Sequence, residues 1–539
     1  MKRALGNILC GATLLLGLPL TFTSCEEILG EWSKPAPVPG TPNTPTPSPT
    51  PTPASKTAGA ISYATASLNK GSLDPAFTNE LTITGDGTVS YSSSNEAAAT
   101  VNPTTGEVTL VGAGTTSITA TVSDSETYAY ETKSASYNLE VTDGISYQEW
   151  DGTKFITKNV ASSGCQVVTS STTAWNGSKT YVVNGNVTIS GNVTVSADSK
   201  LILCDGATLT INGKLYDNGT SIGLTIYAQS DGVKMGVLNA SANMTGLADN
   251  TIQFKDLTIH GGKITATTEG TTYADCVSMF VTDALTMYGG DVTALGNSNQ
   301  GSGIYATTIN ITNNVKLAAK GGNNSSGQGG KGIYKSSSGA TISVSGNAIL
   351  TVTGGNSETT SAGAAVEGVG DLELTASENA RVTITGGNSN ANAMGGYGVY
   401  GNVTASGNAS IEITAGNGAG GREGISSKLT ISGNASVIVK GGNASSSASN
   451  AGDAIKEVDY KGGSFTATGG ENSSNTTYNG KGITTSITNN LGSTLDVVGF
   501  QFSTDGSTWL NMDVAGGGRI LKNTEFTSLK FPRFFRTKQ

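Results

Sequence analysis

The stretch Thr341–Gly355, TISVSGNAILTVTGG, holds two short runs of alternating apolar and polar residues, a Gly-Asn pair between them and a Gly-Gly pair after them. Alternation with period two is typical of β-strands that bury one face. Gly and Asn adopt left-handed backbone conformations at low cost, so the Gly-Asn pair predicts a tight turn. The stretch therefore predicts two strands joined by a turn.

The same pattern recurs about every 30 residues, with a polar loop and a third apolar pair closing each period. Three short strands per period are what one coil of a three-sided parallel β-helix requires, because coils stack at about 4.8 Å. We therefore predict a right-handed parallel β-helix over residues 182–494. The Gly-Gly pairs begin at Gly261, Gly289, Gly321, Gly354, Gly386, Gly441 and Gly469, and the third apolar pairs contain Ile304, Ile333, Val366, Val399, Ile425, Ile455 and Ile483.

Segments of different composition flank the repeat. Residues 144–181 contain Trp150 and Trp175 and are predicted to be a junction and N-terminal cap, to which Tyr181 belongs. Residues 495–539 are rich in aromatic residues and are predicted to be a C-terminal β cap that covers the last open edge.

The first 24 residues read as an export signal, with Lys2 and Arg3 before an apolar stretch that is too short for a membrane span. The stretch ends in Phe-Thr-Ser-Cys and resembles the lipobox of bacterial lipoproteins, although Phe22 departs from the usual aliphatic residue. The resemblance implies that Cys25 is lipidated.

Glu26 and Glu27 follow Cys25 and resemble the acidic export signal of Bacteroidetes lipoproteins, which implies an anchor in the outer membrane, facing the exterior. Residues 25–57 include the run KPAPVPGTPNTPTPSPTPTPAS at Lys34–Ser55, whose prolines favour an extended tether. The lipid anchor is the only membrane contact that we predict.

Residues 58–143 alternate apolar and polar residues over short runs separated by turn signals, as in a β-sandwich. The run Tyr91–Val122, YSSSNEAAATVNPTTGEVTLVGAGTTSITATV, resembles the bacterial Ig-like domain, group 2. That resemblance implies an extracellular spacer or adhesion module without catalytic residues. The whole chain is thus predicted to be all-β, with an Ig-like β-sandwich before the β-helix.

Composition excludes one class of partner. The net charge is −9, and only 13% of residues are charged, so the chain does not offer the clustered Lys and Arg that nucleic acid requires. Cys165, Cys204 and Cys276 remain after the export segment, without metal-type spacing, so no metal site is predicted. A bridge between Cys165 and Cys204 stays open.

Catalytic motifs are absent from the sequence. The single histidine, His260, is interpreted as a residue on a coil face and not as a catalyst. Candidate acids for a polysaccharide lyase or hydrolase do not repeat at the coil period, and neither Arg381 nor Arg422, as a lyase base, has an acidic cluster one period away. We therefore predict that the chain is not an enzyme. The acids are Asp275, Asp283, Asp291, Asp371, Glu373, Asp453 and Asp459.

Tyrosines provide the candidate binding site. Tyr305, Tyr334 and Tyr400 each follow the third apolar residue of a period, so alternation turns them outward on one face. Aromatic faces along a groove can stack on successive sugar rings, whereas the alternative is that these rings pack under the polar loops.

The glycine-rich repeat, at about Asp256–Asn490, also resembles secreted β-helix proteins that bind acidic plant polysaccharides with calcium. The regular Asp of that family's loops is missing here, so no cofactor is predicted and calcium stays open. We expect a non-catalytic surface lipoprotein that binds a glycan or another extracellular ligand. The alternatives are a protein-binding adhesin or structural surface protein, with a host or neighbouring-cell ligand, and a polysaccharide lyase or hydrolase.

Overall fold

The computed structural model describes residues 55–537 except 218, 220, 245, 247–248, 271–274, 336–338, 369–371, 391–392, 491–496, 504, 509, 516–518 and 522–532. The predicted signal, Cys25 and the linker to residue 54 lie outside this part. The described regular structure is β throughout, apart from 3-10 turns at Ser162–Gly164 and Thr476–Tyr478, so the all-β prediction is confirmed. None of the described helices is long and apolar enough to cross a membrane.

The first module is a sandwich of short strands with period-two burial. One sheet consists of three neighbouring strands in the order Leu81–Thr84, Thr57–Tyr63 and Tyr128–Tyr130. The facing sheet and a small strand pair bury Tyr137 and Leu139 in a common core, because alternate side chains point inward. Their strands are Ser67–Gly71, Ser134–Thr142, Gly114–Val122 and Val89–Ser93 in one sheet, and Ala99–Val101 with Val108–Leu110 in the pair.

From residue 165 the strands form a parallel array in which each strand pairs with the strand one period ahead. These pairings make three ladders, which we call ladder one, ladder two and ladder three. Four long strands each contribute to more than one ladder: Val277–Met287, Ser302–Ile311, Ile425–Lys440 and Ile455–Thr468.

Besides parts of those long strands, each ladder consists of short strands. Ladder one contains Cys165–Val167, Thr180–Val183, Ser199–Leu203, Gly223–Ala228, Asp256–Ile259, Thr341–Val344, Glu373–Ala376, Asn402–Ala405 and the end of Ile483–Asn489. Ladder two contains Asn186–Ile189, Thr208–Ile211, Val237–Asn243, Lys263–Glu269, Asp291–Leu295, Lys316–Lys320, Ile349–Thr353, Arg381–Thr385 and Ser410–Thr414. Ladder three contains Ala174–Trp175, Val193–Val195, Leu215–Asp217, Asn250–Phe254, Ile333–Lys335, Val366–Gly368, Val399–Tyr400 and the start of Ile483–Asn489.

Inward side chains of the three ladders form one continuous apolar core. The Gly-Asn turns between ladders one and two have left-handed glycines, with φ of 68° at Gly346, 64° at Gly407 and 65° at Gly433. The third apolar residues of successive periods pair directly with one another in ladder three: Ile304, Ile333, Val366, Val399, Ile425, Ile455 and Ile483.

The Gly-Gly pairs close the loops that connect ladder two to ladder three. In one loop Gly363 N–H donates to Gly355 O at 2.8 Å, and Gly355 N–H donates to Gly330 O of the preceding period at 2.7 Å. Gly387 N–H then donates to Gly363 O at 2.9 Å, so the bonds continue from period to period. We call each such closing pair a glycine neck. The necks are Gly322/Gly330, Gly355/Gly363, Gly387/Gly396, Gly442/Gly452 and Gly470/Gly480.

The strand pairing is distinctive at each end of the array. The parallel pairing begins at Cys165–Val167, within the segment predicted as a junction, and Trp175 stacks on Tyr181 at 4.6 Å between ring centroids. At the other end Arg519–Leu521 and Phe534–Thr537 pair antiparallel with the last strands of ladders one and two. The other strands there, Val497–Ser503 and Leu510–Ala515, pair antiparallel with each other.

A β-hairpin, Ile145–Trp150 with Phe155–Val160, lies between the sandwich and the array. Its Trp150 backbone N–H donates to Nδ1 of His260 at 2.9 Å, and the imidazole stacks on Tyr227 at 4.8 Å and packs at a tilt of 37° against Tyr288 at 5.1 Å. His260 thus holds the hairpin against ladder one.

Two further contacts tie the sandwich to the array. The Asn184 side-chain amide donates to Leu73 O at 3.1 Å, and that of Gln229 donates to Asp74 Oδ1 at 2.5 Å. The sandwich is therefore seated on the array by polar contacts as well as by the hairpin.

We predict that Gly363→Ala strongly destabilises the array. A Cβ at this position would lie 1.9 Å from Gly330 O, which is backbone and cannot move aside without breaking the neck. We expect a decrease of about 3 kcal/mol or more in the free energy of unfolding. Gly185→Ala is the matched control, because a Cβ there meets no atom within 4 Å. Equal denaturation midpoints for the two variants would contradict this role of the neck.

We also predict that stability depends on His260 in mild acid. Burial lowers the pKa of this imidazole, with Lys200 adding to the effect and Glu149 opposing it, while the uncharged Tyr227 and Tyr288 rings and the Trp150 backbone N–H contact it. The neutral form accepts the Trp150 hydrogen bond, so its stabilisation is complete above the unfolded pKa of about 6.5 and falls as pH decreases through the folded pKa.

Thermal unfolding between pH 7.5 and 5 measures the contribution of His260 to stability. Histidine is the side chain whose ordinary pKa lies in that window, and the chain has one histidine. The parent midpoint should fall on acidification more than that of His260→Phe, which keeps a stacked ring and cannot titrate. Parallel pH profiles for the two proteins would show that His260 does not carry the effect.

Candidate functional site

One outward column of ladder three collects aromatic residues from successive periods. Phe280 pairs with Tyr305, Tyr305 with Tyr334, Tyr334 with Glu367, and Glu367 with Tyr400. Their neighbours in the strands, such as Ile333 and Val399, are buried in the core, so alternation directs the column outward. We call Phe280, Tyr305, Tyr334, Glu367 and Tyr400 the aromatic column.

Ring geometry differs along the aromatic column. Phe280 and Tyr305 stack at 4.6 Å between centroids with 20° between planes, whereas Tyr305 and Tyr334 meet edge to face at 5.2 Å and 79°. The faces of the stacked Phe280 and Tyr305 rings point at each other, so this end of the aromatic column presents mainly ring edges to a ligand. Tyr400 is 41% exposed and packs edge to face against Tyr397 at 4.9 Å, so it presents the most open ring of the column.

Two cations lie on ring faces beside the column. Lys331 Nζ is 4.9 Å from the Tyr334 ring centroid and 3.1 Å from the Glu367 carboxylate. The Arg422 guanidinium is 4.8 Å from the Tyr397 centroid and donates to the Tyr397 hydroxyl at 3.0 Å. Each cation is thus held by an aromatic face and a second polar group.

The Tyr334 phenol stays protonated at neutral pH. Burial raises the pKa of Tyr334 to about 12, and electrostatic interactions with Asp275, Tyr305 and Glu367 add to this shift. Burial also raises the pKa of Tyr397. The column therefore combines hydroxyl donors, one carboxylate acceptor and partly exposed rings, which are the groups that contact sugar hydroxyls and sugar ring faces.

Sequence reasoning located the three tyrosines but missed several of their neighbours. The structure places Tyr305, Tyr334 and Tyr400 in one outward column, in which Tyr305 also stacks on Phe280. Phe280 was detectable by counting one period back from Tyr305. Lys331 and Arg422 lie in polar loops, and no periodic signal marks them.

The structure also places the single histidine and the three cysteines. His260 is buried under the hairpin and only 8% exposed. Cys165 and Cys204 are not joined to each other, so the bridge left open by the sequence is not formed, and Cys276 takes part in no disulfide. Among the described residues, no group of three or more His, Cys, Asp or Glu side chains could hold a metal ion.

The candidate acids are dispersed over the array. Asp283 faces Lys255 at 3.8 Å, Asp453 accepts from Thr484, and Asp459 pairs with Lys461 at 3.2 Å. Asp371 lies outside the described residues. Asp283, Asp453 and Asp459 therefore each contact a separate local partner.

Comparison with known families identifies the first module. The family model described as the intimin immunoglobulin-like domain matches residues 80–124, which span the sandwich strands from Leu81–Thr84 to Gly114–Val122. No curated protein matches the chain. Residues 80–124 of the sandwich are thus identified as an intimin-like Ig domain, which fits a bacterial Ig-like domain.

Proposed function

We propose that the chain is a non-catalytic cell-surface lipoprotein that binds a glycan along ladder three. The aromatic column is the observation that carries the proposal, because one outward position in successive periods presents rings, hydroxyl donors and a carboxylate in register. Sugar rings have apolar faces and hydroxyl edges, so they match both kinds of group.

We further propose that the array is a right-handed parallel β-helix. Three parallel ladders with a period of about 30 residues and one continuous core support this architecture. We assign the Ig-like domain to bacterial group 2, on the resemblance of Tyr91–Val122. The Ig-like domain then acts as a spacer between the lipid anchor and the array, and the array presents the glycan-binding face.

Delivery to the surface is proposed from the N-terminal sequence. Residues 1–24 serve as the signal, Cys25 carries the lipid, and the proline-rich linker holds the folded part away from the outer membrane. The acidic residues Glu26 and Glu27 support an exterior orientation.

A protein-binding adhesin is the second candidate. The match of residues 80–124 to the intimin immunoglobulin-like domain supports this candidate. In that case the loops between ladders two and three would contact the partner, and the aromatic column would be dispensable.

Binding of the purified full chain to neutral, acidic and amino-sugar polysaccharides, with calcium and with chelator, tests the proposal. We predict that Tyr400→Ala weakens glycan binding about tenfold, because one aromatic contact contributes about 1–1.5 kcal/mol. Tyr478→Ala is the matched control, since Tyr478 is 38% exposed and lies in a loop outside the column. Its affinity should equal that of the parent.

Other outcomes assign other functions. Release of shortened or unsaturated sugars would contradict the non-catalytic proposal and indicate a lyase or hydrolase. Absence of binding to every polysaccharide would favour the protein adhesin.

A further inference from the structure

A second regular surface lies on the loops between ladders two and three. An exposed asparagine follows the Gly-Gly pairs that begin at Gly321, Gly354, Gly386 and Gly441 and the Ala415-Gly416 pair between them, and together these residues form what we call the asparagine row. It contains Asn323, Asn356, Asn388, Asn417 and Asn443.

Backbone hydrogen bonds orient every side chain in this row. Oδ1 of Asn323 accepts from Asn356 N–H at 2.9 Å, and the same bond recurs at 2.8 Å at each following step. Oδ1 of Asn443 accepts from Glu471 N–H at 2.8 Å and ends the row. A backbone N–H can only donate, so each bond uses the amide oxygen and turns it toward the next period, and none of these bonds uses the NH₂ group.

The other asparagine ladder of the array shows the contrast. In the Gly-Asn turns, Asn347 Nδ2 donates to Asn314 Oδ1 and Asn379 Nδ2 donates to Asn347 Oδ1, each at 3.2 Å. The amide donors there are consumed by the ladder itself. In the asparagine row the ladder uses only the oxygens, so a line of amide donors remains, spaced by one strand separation of about 4.8 Å.

Asn323 and Asn356, at one end of the row, line a groove of about 340 Å³. Asn324 and Ser357 beneath it are 5% and 1% exposed and are joined by a parallel bridge, so this part of the groove is fixed by the same stacking as the strands. Glu358 is the one charged residue among those that line the groove, which contains no aromatic residue. The remaining lining residues supply only amides and hydroxyls, among them Asn299, Asn323, Asn356 and Asn390.

We infer that this groove binds an uncharged, extended oligosaccharide that runs along the array and accepts hydrogen bonds from the asparagine row. The lining offers no set of countercharges for a polyanion or a polycation, and its polarity disfavours an apolar ligand. A polymer with oxygen acceptors at every unit matches donors that repeat at every period. The inference rests on the proposed glycan-binding function and names the ligand class, at a surface separate from the aromatic column.

The test uses the full chain and four hexasaccharides: cellohexaose and mannohexaose as neutral probes, hexagalacturonate as an anion and the glucosamine hexamer as a cation. Titration calorimetry in chelator should show binding of at least one neutral hexamer in preference to both charged ones. The double variant Asn356→Asp/Asn388→Asp keeps both acceptor oxygens and removes the NH₂ donors. We expect at least tenfold weaker binding with an unchanged thermal midpoint.

Asn347→Asp/Asn379→Asp is the matched control, because it makes the same charge change on the turn ladder. It should lower the thermal midpoint, since its amides donate within the ladder, and leave the affinity unchanged. The inference is overturned if Asn356→Asp/Asn388→Asp binds like the parent, if hexagalacturonate binds more tightly than both neutral hexamers, or if no hexamer binds. Binding that Tyr400→Ala weakens and Asn356→Asp/Asn388→Asp leaves intact would retain the proposed function and remove only this groove.

Discussion

Backbone hydrogen bonding between successive periods is the interaction on which the structure depends. In the ladders it joins strands, as in any parallel sheet, and at the glycine necks it continues across segments that have no strand geometry. The necks need glycine because the backbones approach so closely: a Cβ on Gly355 would lie 1.9 Å from Gly322 O. Loops closed in this way stack on one another, as the parallel bridges from Asn324 to Ser357 and from Ser357 to Ser389 show.

This stacking converts one position of the repeat into a line of side chains. Inward positions become the apolar core, and outward positions become surfaces whose chemistry changes without disturbing that core. The aromatic column and the asparagine row are two such lines, on ladder three and on the loops before it. We propose that both lines bind glycans, the aromatic column through rings and hydroxyls and the asparagine row through amide donors. The hairpin and the Ig-like domain contact the array through hydrogen bonds.

Much of the fold could be predicted because its signals are local and repeated. Strict alternation marked Thr341–Val344 and Ile349–Thr353, and counting from the third apolar residue placed Tyr305, Tyr334 and Tyr400 on one face. Contacts between distant residues could not be predicted, such as Trp150 with His260, since no pattern links them. Nor does sequence distinguish Asn347 from Asn356, because the backbone geometry decides whether the ladder uses the oxygen alone or the whole amide.

Residue-resolved hydrogen exchange tests most directly whether the glycine necks extend the ladders into the loops. We predict that the amides of Gly355, Gly363 and Gly387 exchange as slowly as those of Leu350 and Val352 in ladder two, because all of them are bonded between or within periods. Exchange of the neck amides at the fast rate expected for exposed Thr359 would contradict this, since the loops, and with them the asparagine row, would then lack a fixed register.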